Sequence, residues 1–384
     1  MQKILNELTS LYGFKKLKML EIMSKLKINI ILFGIGNIGS TLINQIVESQ
    51  EFFLESKNVD FHFPIITNST VAFFEKEGVG YAWETNFRQL AVPFKVEDIV
   101  EFAQENEFEN LIAVDATASD ELVKHYNTLI KNGFNIVAVN KKANTLPIDL
   151  YKELRADLKK YDKEFFYETS VEAGIPVLQT LRDLYYSGEK ITKIRGVFSD
   201  NLSYVFNRFS SEDVSFSSVL KDASLLGLMK SNFKEDLSGN DTARKLLILA
   251  REIGKDFELS DIKIKPFITE EHLEKNGVLN KDAVDKSFKI AKITQAENHV
   301  LRYVGEFDVE KGTLEAKLIS EPVDSPIGQL KGSDAIFEIY TKSYADIPIV
   351  IQSAPPCKQA ISRGIITDIL KIAERIRTKE AVWL

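Results

Sequence analysis

Two hydrophobic rhythms divide this chain. Between residues 28 and 167, short continuous apolar runs alternate with segments of helical periodicity. The runs at 28–34 (INIILFG), 59–67 (VDFHFPIIT), 110–117 (NLIAVDAT), 134–140 (FNIVAVN) and 164–169 (EFFYET) have the length and branching of buried strands. Amphipathic stretches such as 121–133 separate them, that one closed by Gly133, the residue a helix C-terminus favours. Strands alternating with helices predict a mostly parallel sheet covered on both faces.

Beyond about residue 170 the rhythm changes. A helix over 175–188 leads to a strand at 191–199, and two helical segments span 215–255. A charged stretch at 268–290 reads as helix plus loop. Short runs at 299–307, 313–320, 335–341 and 347–352, separated by turn residues, predict an antiparallel sheet, and a helix near 359–379 ends the chain. At the other end, residues 1–27 read as an amphipathic helix, with Ile4, Leu5, Leu8, Leu11 and Tyr12 at helical spacing and with Lys15, Lys16, Lys18, Lys25 and Lys27 making it basic. Docking on the body or on a partner subunit is expected of it, ahead of a membrane surface.

Composition narrows the classes. A chain of 384 residues predicts two or three domains, and its 44% apolar content suffices for ordinary cores. A net charge of -7, with acids and bases interspersed, argues against a nucleic-acid partner. The single cysteine, Cys357, suits a reducing, cytoplasmic compartment. No signal peptide or membrane-length apolar run is found, and the four scattered histidines make no zinc-ligand spacing.

Three segments bear candidate chemistry. Gly34, Gly36 and Gly39, with Asn37 and Ile38 between them, fit G-x-G-x-x-G at a strand end that opens a helix. Such glycines permit the tight turn, the approach of a pyrophosphate and close helix–strand packing, which points to a dinucleotide. The second strand ends at Asn68, with no acid for a ribose 2′-hydroxyl and no arginine for a 2′-phosphate, so NAD and NADP both remain open. Asn140 and Lys141 follow another strand end, where ligand contact and a solvated surface lysine are alternative readings. Asp241 and Lys245 lie four apart and share a helix face. They are either a surface ion pair or a lysine held by a carboxylate to exchange a proton with substrate. A desolvated lysine near a second lysine is expected to titrate below its ordinary value.

The segments NKKANT (140–145), YETSVEAGIPVL (167–178), GVFSDNLSYVFNRFS (196–210), DLSGNDTARKLLILAREIG (236–254) and VLRYVGEF (300–307) together resemble homoserine dehydrogenase, in particular the dehydrogenase half of its fusions with aspartokinase. The resemblance runs from about residue 28 to the C-terminus. It implies NAD(P)H-dependent reduction of L-aspartate 4-semialdehyde to L-homoserine, a small-molecule substrate and a homodimer formed through the second domain's sheet. It implies that Lys245 is the proton donor, with Lys141 polarising or relaying, Asp241 orienting Lys245 and Asp236 contacting substrate. Glu168 and Asn201 resemble further substrate positions, and Asn68, Thr117 and Asn140 cofactor positions. The stretch around Glu168, Val171 and Ala173 resembles a loop whose backbone oxygens hold a monovalent cation, sodium.

Four departures from the family pattern fall on this expected site. Lys230 replaces a glutamate that binds the substrate ammonium, which a lysine repels. Ser199-Asp200-Asn201 replaces Ser-Gly-Thr, and Val171-Glu172-Ala173-Gly174 replaces Val-Gly-Ala-Gly. Pro355-Pro356-Cys357 replaces Gly-Ala-Gly. The family reaction is the first expectation. The alternative is a catalytically silent or substrate-shifted homologue that binds a nucleotide or a partner subunit.

The expected fold is α/β. A Rossmann-type, mostly parallel sheet occupies 28–168 and is completed by 353–384; an α+β substrate and dimerisation domain occupies 169–352, and the amphipathic helix 1–27 precedes both.

Overall fold

The computed structural model describes residues 25–229, 237–274 and 278–383. Nearly all of the helix expected over 1–27 lies outside them, as do Lys230 and Asp236. No described helix is long and apolar enough to cross a membrane. The chain forms two compact units. The first comprises the described residues up to 142, 152–169 and those from 358 on; the second comprises 143–151 and 170–357.

The first unit is built on a seven-stranded sheet: β1 (Leu26–Phe33), β2 (Val59–Thr67), β3 (Val71–Phe74), β4 (Val92–Pro93), β5 (Leu111–Asp115), β6 (Asn135–Ala138) and β7 (Phe165–Phe166), in the order β4-β3-β2-β1-β5-β6-β7. The five expected strands pair in parallel. Ile28, Ile30, Ile31 and Leu32 are all fully buried, so both faces of β1 are covered, which is why the run is continuous rather than alternating. Helices α1 (Asn37–Glu48), α2 (Gln50–Lys57), α3 (Trp83–Leu90), α4 (Val96–Glu105), α5 (Tyr126–Lys131) and α6 (Ile148–Lys160) follow in chain order. Leu42, Ile43 and Ile46 of α1 share a core with Ile365, Ile369 and Ile372 of the C-terminal helix, Lys358–Trp383. The antiparallel pairs β2/β3 and β3/β4 were not expected. They are short, and Pro93 sits where a strand tolerates proline, at the sheet edge. Register fixes what matters for function. Phe33 is level with Thr67 on one side and Asp115 on the other, so three strand C-termini end side by side.

The second unit holds a six-stranded sheet in the order β13-β12-β8-β10-β11-β9. Its strands are β8 (Ile191–Val197), β9 (Lys263–Ile264), β10 (His299–Asp308), β11 (Thr313–Pro322), β12 (Ala335–Thr341) and β13 (Ile349–Ser353). All pairings are antiparallel except β11 with β9. Its helices are α7 (Val177–Tyr186), α8 (Asp200–Ser211), α9 (Phe216–Leu225), α10 (Asn240–Glu252) and α11 (Lys281–Thr294). An aromatic core joins α8, α9, α11 and β10, with Phe216 and Phe288 stacked at 3.8 Å between centroids. Ile327 and Leu330 pack on Val197, Val304 and Ile336. The Arg302 guanidinium ties that loop down by donating to the Gly328 carbonyl at 2.8 Å.

Candidate functional site

The glycine loop leaves β1 at Gly34, whose φ of 96° is a conformation that side chains rarely adopt. The Gly34 and Ile35 N–H groups donate to the Thr67 carbonyl at 2.9 and 3.1 Å, which fixes the turn. A Cβ on Gly39 would lie 2.0 Å from the Gly34 oxygen, whereas one on Gly36 would meet nothing within 4 Å. Contact beneath the loop and open space above it make a cradle. No side chain caps α1 and its first turn carries no acid. The first-turn N–H groups of a helix have no partner within the helix, so those of Asn37, Ile38 and Gly39 suit the pyrophosphate of a dinucleotide.

Asn68 closes β2 by accepting on Oδ1 from the backbone N–H groups of Thr70 and Val71, both at 2.8 Å. Its acceptor is thereby occupied, and what it can offer a ribose or a phosphate is the amide donor.

Beside the cradle sits a residue that the sequence reading passed over. The Asp115 carboxylate, 1% exposed, ends β5. Its Oδ1 accepts from the Thr117 N–H at 2.8 Å and the Thr117 hydroxyl at 2.7 Å. Its Oδ2 accepts from the Tyr126 hydroxyl at 2.7 Å and from Asn140 Nδ2 at 3.0 Å. Asn140 also donates to the Ser119 carbonyl at 2.8 Å, and its Oδ1 accepts from the Lys142 N–H at 3.0 Å. Burial pushes the Asp115 carboxyl above its ordinary value, and the bonds from Thr117, Tyr126 and Asn140 pull it back. Burial, then Asp115, hold the Tyr126 phenol well above its own. The side chains of Thr117 and Asn140, expected to touch a cofactor, are thus engaged in a network that shapes the strand ends. Lys141 lies in the same turn and is half-buried. A lone acid at the end of an apolar strand, two residues before a threonine, is the signal that could have found Asp115.

In the second unit the chemistry gathers on α10. Gly239 starts that helix at φ 76°, and a Cβ there would lie 2.0 Å from the Tyr303 hydroxyl oxygen. Burial raises the Tyr303 phenol to about 12. In the second turn of α10, Lys245 is 6% exposed, so the surface ion pair considered for Asp241 and Lys245 does not describe it. Its Nζ meets Glu172 Oε2 at 3.4 Å, and Glu172 is 3% exposed. Burial works against the Lys245 ammonium, but Glu172, then Asp241 and Asp200, outweigh it and hold the group above the ordinary lysine value. This corrects the expectation that Lys245 titrates low: the groups acting on it are carboxylates. Burial also raises the Glu172 carboxyl; Lys245 opposes the rise and Asp200 adds to it.

Two of the four departures from the family pattern therefore meet at one ammonium. Glu172 contacts it, and Asp200, at the first turn of α8, adds its field. Asn201 stands next in that turn, half-buried, after the cap Ser199. Glu168 is 7% exposed, and its backbone N–H donates to Asp368 at 3.1 Å. Val171 and Ala173 flank Glu172 and are buried. Among the described residues no three His, Cys, Asp or Glu side chains are grouped to hold a metal. Pro355, Pro356 and the exposed Cys357 lie between β13 and the C-terminal helix.

Known proteins share this sequence pattern. The family profile described as "Homoserine dehydrogenase, NAD binding domain" matches residues 34–168, and that described as "Homoserine dehydrogenase" matches 176–370. The bifunctional aspartokinase/homoserine dehydrogenase of Buchnera aphidicola is 35% identical over 91% of this chain. This chain spans 43% of that relative's length. The homoserine dehydrogenase of Saccharomyces cerevisiae is 29% identical over 92% of this chain and all of its own. A crystal structure of a Candida auris protein of unknown function superposes with a TM-score of 0.82 at 28% identity, covering 91% of this chain and 99% of that one.

Proposed function

Because the chain belongs to the homoserine dehydrogenase family of NAD(P)-dependent oxidoreductases, we propose that it reduces L-aspartate 4-semialdehyde to L-homoserine, a step toward threonine and methionine. The observation that carries this reading is the buried Lys245, kept protonated by the carboxylates around it. A reduced nicotinamide, when bound, supplies the hydride. The remaining work belongs to the chain. Gly34, Gly36 and Gly39, with the N–H groups of Asn37, Ile38 and Gly39, would hold the dinucleotide pyrophosphate, and Asn68 would meet its ribose. Lys245 gives its proton to the carbonyl oxygen, so that no free alkoxide forms. Glu172 holds the ammonium and Asp241 adds to the field that keeps it charged; the family resemblance gives Lys141 the role of polarising the carbonyl or relaying its proton. Asp236, Glu168 and Asn201 complete the substrate contacts in this reading, with Lys230 at the position where the family's glutamate would meet the substrate ammonium.

NADP and NAD are both compatible with Asn68, which presents a donor and no carboxylate. A sodium ion on backbone oxygens around Glu168, Val171 and Ala173 belongs to the same proposal. So do a homodimer formed through the β8–β13 sheet and a cytoplasmic location. The test is steady-state turnover. Purified protein is mixed with L-aspartate 4-semialdehyde and NADPH or NADH, and separately with L-homoserine and the oxidised forms. Turnover in both directions is expected. Dinucleotide binding with no turnover on either compound would overturn the assignment and favour a silent or substrate-shifted homologue.

A further inference from the structure

Asp115 is a carboxylate with no route to solvent and four donors aimed at it. Each of its oxygens serves a different part of the strand ends. Oδ1 takes both donors of Thr117, and the Thr117 methyl lies 3.0 Å from where a Cβ on Gly34 would stand. Oδ2 takes the Asn140 amide, which in turn fixes the Ser119 carbonyl and the Lys142 N–H on either side of the β5 and β6 ends. One buried group thus sets the turn against which the glycine loop packs and the turn that carries Lys141. In an open α/β sheet the strand C-termini line the ligand crevice. The Asp115 backbone is locked as well, its carbonyl accepting from the Val139 N–H at 3.0 Å.

We propose that Asp115 is the positioning residue of the dinucleotide site, holding the turns after β5 and β6 in the shape that receives the cofactor through hydrogen bonds to Thr117 and Asn140. The inference rests on the reading of the glycine loop as a dinucleotide cradle. A carboxylate is required because four donors converge on it and it offers only acceptors. An amide at this position replaces one acceptor by a donor. Whichever way it turned, either the Thr117 pair or the Tyr126 and Asn140 pair would face N–H instead of oxygen. An unmade bond inside a buried network is costly, because water cannot replace the lost partner.

The test is the affinity for NADPH and NADH, read by fluorescence of the reduced nicotinamide, together with the melting temperature. Asp115→Asn is expected to weaken binding by about ten-fold or more, the scale of one lost charge-assisted bond. Asn135→Ala is the structural control. It removes a buried amide that bonds the Leu111 carbonyl at 3.3 Å from the start of β6, away from the loop. It is expected to lower the melting temperature while leaving the affinity alone. Equal affinity in Asp115→Asn and the wild type would overturn the proposal and leave the cofactor reading standing. Failure of the wild type to bind either dinucleotide would sink both. If Asp115→Asn does not fold, Thr117→Val decides, since it deletes one donor and keeps the shape. Weakened binding supports the proposal, and wild-type binding overturns it.

Discussion

The two units each bury a charge at the place where function is expected, and they stabilise it in opposite ways. Asp115 is surrounded by neutral donors from Thr117, Tyr126 and Asn140. Lys245 is surrounded by carboxylates. A charge held by oriented neutral dipoles keeps its geometry over a wide pH range, because none of its partners titrates near neutrality. A charge held by other charges is kept in its charged form by them, and a change in any one of those partners moves its titration. The first arrangement suits a scaffold that receives a ligand. The second suits an acid.

The largest effect is expected at Lys245. Lys245→Ala should reduce turnover by roughly 10²–10⁴-fold, the usual contribution of a general acid. Dinucleotide affinity should be unchanged, which fluorescence titration of the same variant checks. The next effect is at Tyr126. Tyr126→Phe removes one donor from a buried carboxylate and should cost about 1.5–3 kcal/mol of stability, read from thermal or urea unfolding. A variant as stable as the wild type would mean that Asp115 needs no phenol.

Glu172→Gln sharpens the contrast by removing the largest influence that raises Lys245. Reduction needs the ammonium, which is present below the Lys245 value. The alkaline limb of the reduction profile should therefore move to lower pH in the variant, and oxidation of homoserine should set in at lower pH. Stability follows the same sign. The folded value of Lys245 lies above the ordinary 10.5, so its contribution is complete below 10.5 and is lost as pH rises through the folded value. Glu172→Gln should bring that loss to lower pH. An unmoved alkaline limb would show that Glu172 does not set the charge of Lys245.

Much of this was legible in the sequence, and the remainder was hidden for definite reasons. Continuous apolar runs such as 28–34 and 134–140 mark strands buried on both faces, and these became β1 and β6. The hairpin partners β3 and β4 are too short and too mixed to announce themselves. The glycine loop could be read because its chemistry is local. The surroundings of Lys245 could not. Glu172 lies 73 residues away in the chain and was visible only as a departure from the family pattern. Nothing in the sequence says that it turns its carboxylate to Lys245. Asp115 was overlooked for a similar reason, since two of its donors, Tyr126 and Asn140, come from beyond the next helical turn.

On the proposed function, this chain delivers a hydride to aspartate semialdehyde while Lys245 delivers the proton. The most direct measurement of this is isotopic. Protein, L-aspartate 4-semialdehyde and NADPH or NADH deuterated on the transferable position of the nicotinamide are incubated, and the product is examined by mass spectrometry. The expected product is L-homoserine carrying one deuterium on its hydroxyl-bearing carbon, formed about 10²–10⁴-fold more slowly by Lys245→Ala. Unlabelled homoserine, or no homoserine from a wild type that binds the dinucleotide, would contradict it.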